Sequence, residues 1–312
     1  MPATSRPKKI VVAINPSASF GSTRDVGPAV VQTLRAMGHE VTSLTEPDFE
    51  QLTASARAAV QKRPDALVVV GGDGMVNLGT NLVVNTKVPL GIIPSGTGND
   101  MARGLGIPHD DVEAAIRALD AALAGPPRVI DAGRIRWTDA DTGEAGERWF
   151  ACALSAGFDA IVNERANGMR HPKGPSRYIL AMLAELAVLR PLRYRLELDG
   201  EQVDTKAVLV ALGNAQSFGG GMKVTPDAIL DDGLFDVLIV EPLSRINFLR
   251  IFPRVFKGEH VGHPKVRIRR AKRVRIACDD PIVAYGDGER IAPLPLDVDL
   301  VPGVLRVLAP PA

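Results

Sequence analysis

The chain has 312 residues, 46% hydrophobic and 23% charged, which is enough for one large or two medium globular domains with developed cores. Its 37 basic and 36 acidic residues leave a formal charge of +1, so composition excludes a globally basic nucleic-acid binder. Cys152 and Cys278 are the only cysteines, each in an apolar segment, and they suit reduced buried thiols rather than a disulfide framework.

Met1 to Lys9 is short, polar and basic, and the apolar stretch after it stops at Asn15, too short for a secretory leader. A cytoplasmic protein is expected. From residue 9 to 125 short apolar strands alternate with longer amphipathic segments: strand 10–14, helix 25–37, strand 40–44, helix 48–62, strand 66–70. Val30, Leu34 and Met37 keep helical spacing, and Gly38 stands where that helix should stop. This rhythm predicts βαβ units and a parallel sheet.

The run Ala66 to Val70 delivers Gly71-Gly72-Asp73-Gly74 where a buried strand should hand over to a helix reaching about Val84. Glycine reaches φ > 0 without steric cost, so consecutive amides there can converge on one anion while the helix start adds its positive dipole end. Alone, the cluster also reads as a tight strand-to-helix turn. Strand 89–93 then runs into Pro94-Ser95-Gly96-Thr97-Gly98-Asn99-Asp100, and helix 111–123 ends at Gly125-Pro126-Pro127, where a domain boundary is expected. Ligands of doubly wound sheets bind outside the carboxyl ends of the strands. The loops 15–21, 71–77 and 94–100 leave such ends, and their Gly, Ser, Thr and Asn residues suit a triphosphate.

Beyond the boundary, strands are predicted at 128–137, 148–154, 192–198, 207–212, 235–240 and 273–277, with helices at 176–189 and 244–257. The pattern implies an antiparallel sandwich or barrel. The expected fold is an α/β domain with a doubly wound parallel sheet at 1–126 and an antiparallel β-sandwich at 127–300, with the active site in the cleft between them. Residues 301–312 form a terminal strand whose domain the pattern leaves open. The apolar stretch Tyr178 to Leu189 is broken by Glu185 and falls short of the roughly 20 residues that span a bilayer, so no transmembrane helix is expected.

Asn15-Pro16, Gly71-Gly72-Asp73-Gly74 with Asn77, Pro94-x-Gly96-Thr97-x-Asn99-Asp100 with Ala102-Arg103, Ser155-x-Gly157-Phe158-Asp159-Ala160 and Asp287-Gly288-Glu289 occur in this order. Together they resemble the diacylglycerol kinase catalytic family, which also holds sphingosine, ceramide and soluble bacterial lipid kinases. The resemblance spans about residues 9 to 308. It implies a phosphofructokinase- or NAD-kinase-like α/β domain, ATP and Mg²⁺ as co-substrate and cofactor, a lipid hydroxyl as acceptor at a membrane surface, and a homodimer. Cytoplasmic location with peripheral membrane contact follows, and nucleic acid is not among the expected partners.

Carried over by position, the resemblance puts nucleotide contacts at Asn15, Pro16, Ser17, Ala18 and Ser19, at Gly72, Asp73, Gly74, Met75, Val76 and Asn77, at Thr97 and Thr45, and at Glu289. Asn77 and Asn99 would brace the loops, and Thr45 reads equally as a helix cap or turn residue. Asp287 would be the general base, since a carboxylate can accept the lipid hydroxyl's proton, although Asp-Gly alone is also a strong hairpin signal. A bracing Mg²⁺ is implied at Asp232 with the carbonyls of Ile229 and Leu234, working with Asp73 and Asp100. Met75 and Phe20 depart from the family, which often has Thr at the first and in some bacterial members Lys at the second. The alternatives are an NAD kinase, which shares the glycine loop, and a catalytically impaired nucleotide- or lipid-binding regulator.

Lys265 to Arg275 places seven cations among eleven residues, which suits either a membrane surface or a solvated edge strand, and it lacks the aromatic interleaving of a nucleic-acid site. Phe248, Phe252 and Phe256 recur beside Arg250, Arg254 and Lys257, reading as core packing or interfacial insertion, with Pro253 interrupting the helix. Asn167 to Arg177 reads as a basic loop able to gate the cleft. His260 and His263 have no Cys beside them, which argues against zinc, and Ser155 lacks the Gly-x-Ser-x-Gly elbow of a hydrolase.

Overall fold

The computed structural model describes residues 6–16, 25–139, 142–169 and 175–311, with 175–179 described by backbone alone. Ser17, Ala18, Ser19 and Phe20, and the centre of the basic loop at 170–174, lie outside these residues. The chain forms two compact units: Met1–Ala132 with Gly219–Gly221 and Pro302–Ala312, and Gly133–Phe218 with Met222–Val301.

In the first unit β1 (Lys9–Ile14), α1 (Val26–Ala36), β2 (Glu40–Leu44), α2 (Phe49–Gln61), β3 (Ala66–Gly71), α3 (Asp73–Val83), β4 (Leu90–Pro94), α4 (Asp100–Gly104) and α5 (Val112–Leu123) follow one another. The sheet is parallel in the order β2-β1-β3-β4. β3 and β4 are buried throughout, as strands covered on both faces must be. The helices supply amphipathic stripes, Val30, Val31 and Leu34 on α1 and Leu52, Ala56 and Val60 on α2. Asp48 and Asp111 accept the amides of Gln51 and Ala114, capping α2 and α5.

The second unit contains most of β5 (Arg128–Thr138), then β6 (Ala145–Phe150), β7 (Ala153–Gly157), α6 (Phe158–Gly168), α7 (Pro175–Ala187), β8 (Leu192–Leu198), β9 (Glu201–Ala207), β10 (Leu209–Gly213), β11 (Phe235–Val240), α8 (Arg245–Ile251), β12 (Val266–Ala271), β13 (Arg273–Cys278), β14 (Val283–Gly286) and β15 (Glu289–Pro293). β16 (Leu296–Leu308) begins here and ends in the first unit. One antiparallel sheet runs β12-β11-β10-β7-β14-β15, and β16, β13, β8 and β9 also pair antiparallel, within a ten-stranded sheet. Inward residues of both, among them Leu154, Val210, Val237, Tyr194, Leu196 and Ile276, form one core, with the Phe150 and Phe235 rings stacked at 5.6 Å.

Three elements differ from the sequence expectation. The strand expected over 148–154 is split, because the amides of Ala151, Cys152 and Ala153 are taken by the Asp287 carboxylate instead of a ladder. The helix expected over 244–257 is α-helical only to Ile251 and continues as a 3₁₀ turn over Phe252–Lys257, where Pro253 can supply no amide. The terminal strand starts before the expected 301–312 segment: β16 pairs with β13 at Leu296 to Asp299, and parallel to β4 at Val307 and Leu308.

Candidate active site

In the first unit the ends of β3 and β4 bring two glycine loops together. A Cβ on Gly96 would lie 2.4 Å from the Gly72 Cα, so the two backbones are in contact and no larger residue fits. None of Gly71, Gly72, Gly74, Gly96 and Gly98 has a positive φ. The expectation of left-handed glycines is therefore corrected: these glycines serve close approach, and the left-handed residue of the second loop is Asn99, at φ 54°. Asn99 braces that loop from inside, accepting from the Gly96 amide at 3.0 Å and donating to the Gly96 carbonyl at 2.9 Å.

Asp73 ties the loops to each other. Its oxygens accept the amides of Asn99 at 3.0 Å and Asp100 at 2.8 Å. Asp100, only 4% exposed, in turn accepts the amides of Gly220 at 2.8 Å and Gly221 at 2.7 Å, in the short segment that joins this unit. A Cβ on Gly98 would meet Oδ2 of both Asp73 and Asp100, at 2.3 and 3.5 Å, so two carboxylates flank one glycine.

Met75 is 1% exposed, and its Cγ fills the place of a Gly71 Cβ. Its amide donates to the Gly72 carbonyl at 3.0 Å. An N–H from Met75 to a phosphate, expected from sequence, is thus already committed within the loop. By position, the amide of Gly74 is one of the first-turn donors that a helix cannot satisfy internally. Thr97 is exposed at the tip of the second loop. Val76 and Asn77 are buried on α3, Asn77 receiving Asn81 Nδ2 at its carbonyl at 2.9 Å. The Asn15 amide donates to the Val70 carbonyl at 3.2 Å, with Pro16 next in line, and Thr45 is exposed after β2, 3.3 Å from the Ser43 hydroxyl.

In the second unit Asp287 and Gly288 are the two central residues of the hairpin between β14 and β15, both at positive φ (48° and 81°), as a type I′ turn demands. The hairpin reading and the special carboxylate coexist. Asp287 is 9% exposed, and its carboxylate accepts three consecutive amides: Ala151 at 2.7 Å on Oδ2, Cys152 at 2.8 Å and Ala153 at 3.0 Å on Oδ1. Its own amide returns to the Ala153 carbonyl at 2.9 Å. Asn214, fully buried, holds the same segment by donating from Nδ2 to the Ala151 carbonyl at 2.8 Å. Glu289 is exposed at the start of β15.

Sequence reasoning missed Asn214 and a cluster beside the hairpin. The Tyr285 hydroxyl donates to Glu164 at 2.5 Å, Arg290 Nε donates to the same oxygen at 2.9 Å, and Asn167 Nδ2 reaches the Tyr285 oxygen at 3.3 Å. Burial, then the Glu164 bond, pushes Tyr285 up to about 12, and the Tyr285 bond holds Glu164 below the usual carboxylate range. No local sequence signal marks these residues, since they meet only when α6 packs beside β14. Asp159, at the start of α6, is raised by burial against an opposing bond from Ser155.

The two aspartates around Gly98 fit Mg²⁺, a hard ion usually held by one or two carboxylates together with phosphates and water. Among the described residues no group of three or more His, Cys, Asp or Glu side chains could hold a metal by itself. At the loop expected to brace a Mg²⁺, the Asp232 carboxylate faces a cation of the protein's own. Asp232 is ion-paired with Arg270, its Oδ1 accepts the Leu234 amide at 3.0 Å, and Arg270 Nε lies 3.2 Å from the buried Asp236. Ile229 is 50% exposed. One guanidinium thus answers Asp232 of the loop and Asp236 of β11.

The profile described as "Diacylglycerol kinase catalytic domain" matches residues 9–135, and "YegS C-terminal NAD kinase beta sandwich-like domain" matches residues 152–309. A protein of Mycobacterium tuberculosis (strain ATCC 25618 / H37Rv) named diacylglycerol kinase is 41% identical over 97% of this chain and 95% of its own length. The protein of that name from Bacillus subtilis (strain 168) is 27% identical over 92% of each chain. Among solved structures, a diacylglycerol kinase from Bacillus anthracis str. Sterne superposes with a TM-score of 0.71 at 19% identity, covering 98% of both chains. Yeast NADH kinase complexed with NADH gives 0.53 at 14% identity, over 97% of this chain and 83% of its own. At such identities the structural likenesses speak for the fold.

Proposed function

The chain belongs to the diacylglycerol kinase family of ATP-dependent kinases, and on that premise we propose that its acceptor is the free hydroxyl of diacylglycerol, with phosphatidic acid as product. The observation that carries the reading is the Asp287 carboxylate, aimed by three consecutive backbone amides. A carboxylate so fixed can take the proton of the lipid hydroxyl as that oxygen bonds to the γ-phosphorus and the bond to the β-phosphate oxygen breaks, releasing ADP. Gly72, Gly74 and Thr97 are the proposed phosphate donors, and Asn15, Pro16 and Thr45 with the 17–19 segment the remaining nucleotide contacts. Asp73 and Asp100 would hold Mg²⁺, which when bound neutralises charge on the phosphates. Asp73 also sets the spacing of the two loops, so its loss would disturb both.

The test incubates purified protein with labelled ATP, Mg²⁺ and a panel of diacylglycerol, sphingosine, ceramide, undecaprenol and NAD. Label in phosphatidic acid supports the reading. Transfer to NAD alone would replace it with the nucleotide kinase suggested by the shared fold, and ATP binding without any transfer would leave a regulator.

A further inference from the structure

The basic strand of the sequence is not the free cationic face. Lys265 and Arg267 pair with Glu241, Arg269 with Glu201, Arg270 with Asp232 and Asp236, and Arg275 with Asp297. Only Lys272 and Arg273 of that run lack an ion pair among the described residues. Arg245, Arg250, Arg254 and Lys257 are different: all four are exposed, none forms an ion pair among the described residues, and no acidic residue occurs between Pro242 and Gly258.

The same segment is the apolar outcrop of its unit. Among the described residues ten large hydrophobic side chains are exposed, and six of them fall at Ile246, Leu249 and Phe256 and at Leu180, Leu183 and Val188. Ile246 and Leu249 share a face of α8 by their spacing, as Leu180 and Leu183 do on α7. Phe248 fixes α8 to the α6–α7 pair, packing 4.8 Å from the Phe158 ring within that cluster. On the inner side, Phe248, Ile251, Phe252 and Val255 wall an apolar cavity with Met222 and Val240. The segment thus has an anchored inner face and an outer face of bare hydrophobics among unpaired cations. Such a combination is costly in water and suits one environment, the boundary between lipid headgroups and acyl chains.

We propose that Arg245–Lys257, with the adjoining outer face of α7, docks this enzyme onto a bilayer containing anionic lipid. The proposal rests on the lipid-kinase reading for its purpose but not for its evidence. Charge complementarity selects the partner: four unpaired cations meet an anionic surface, while Ile246, Leu249 and Phe256 enter the headgroup boundary. The aromatic triad is therefore divided between core and surface, Phe248 inward and Phe256 outward.

The experiment compares flotation with vesicles of phosphatidylcholine alone and with about 30% phosphatidylglycerol, using wild type, Arg250→Gln/Arg254→Gln and Leu249→Ser/Phe256→Ser. Wild type should float with the anionic vesicles and lose that binding at about 0.5 M salt. Removing two charges should weaken partitioning roughly 30-fold, with turnover of long-chain diacylglycerol in the same vesicles falling in parallel. Turnover of soluble dihexanoylglycerol should stay unchanged in both variants, because none of these residues touches the reacting groups. Vesicle binding equal to wild type in both variants overturns the docking face, and so does loss of binding only in Lys272→Gln/Arg273→Gln. Loss of a dimer in sedimentation without loss of vesicle binding would assign the face to a second copy and also overturn it. If wild type phosphorylates no diacylglycerol, soluble or vesicular, the kinase reading fails while the flotation result stands separately.

Discussion

Asp287→Asn separates the chemical from the structural work of the hairpin carboxylate. The substitution keeps one carbonyl oxygen, able to hold the amides of Cys152 and Ala153, but places an NH₂ where Oδ2 receives the Ala151 amide at 2.7 Å. Two donors then face each other in a site only 9% exposed. Leaving that amide unsatisfied costs about 1–3 kcal/mol, and turning two charge-assisted bonds into neutral ones removes about 1 kcal/mol each. The expected loss is about 3–5 kcal/mol, a fall in Tm on the order of 10 °C. Turnover should fall at least about a hundredfold if the group is also the base. Differential scanning fluorimetry measures the first, and phosphatidic acid formation, assayed at a temperature where the variant is folded, measures the second. Glu289→Gln serves as control, because Glu289 is exposed and its Tm should not move. An unchanged Tm for Asp287→Asn would refute the amide cage. A folded variant with near-normal turnover would remove Asp287 from the reaction.

Gly96→Ala sets a Cβ 2.4 Å from the Gly72 Cα, so the loops must part, and ATP affinity measured by calorimetry should drop at least about tenfold, whereas Gly125→Ala, in open space, should leave it unchanged. Arg270→Met leaves Asp232 and the buried Asp236 without their cation; Tm should fall and millimolar Mg²⁺ should restore part of it, while wild-type Tm in the absence of nucleotide should not respond to Mg²⁺ or EDTA. Acid should weaken the fold through His260, which is 2% exposed and whose pKa burial pulls below the ordinary 6.5, against a bond to the Val224 carbonyl that raises it. Folded His260 stays neutral where the unfolded residue is already protonated, so stability is lost as pH falls below about 6.5. His260→Gln should flatten that part of the Tm-against-pH curve.

The βαβ rhythm of residues 9–125 was legible because buried parallel strands are short apolar runs and their helices carry one stripe each, as Val30, Val31 and Leu34 show. The loops of the site were legible as residue types, but their physics was not. The glycines are required by one loop touching another, a distance between residues 72 and 96 that no local pattern encodes. Met75 looked like a lost hydroxyl and is a packing residue under Gly71. The break at 151–153 was hidden because its cause, Asp287, is more than a hundred residues away in sequence. Five of the seven cations in one run are neutralised by residues from other strands and turns, while a sparser set on α8 and the 3₁₀ turn after it has no such partners among the described residues.

β16 begins in the second unit and finishes in the first, where Val307 and Leu308 pair with Leu90 and Gly91 of β4. On the ribosome, β4 emerges long before that partner exists, so one edge of the first sheet stays open while the whole second unit is being made. A fully apolar strand with one open edge is an invitation to another chain. Closure of that edge waits for the last residues of the chain, and pulse-labelled hydrogen exchange should find the pairing of Val307 and Leu308 with Leu90 and Gly91 among the last to gain protection.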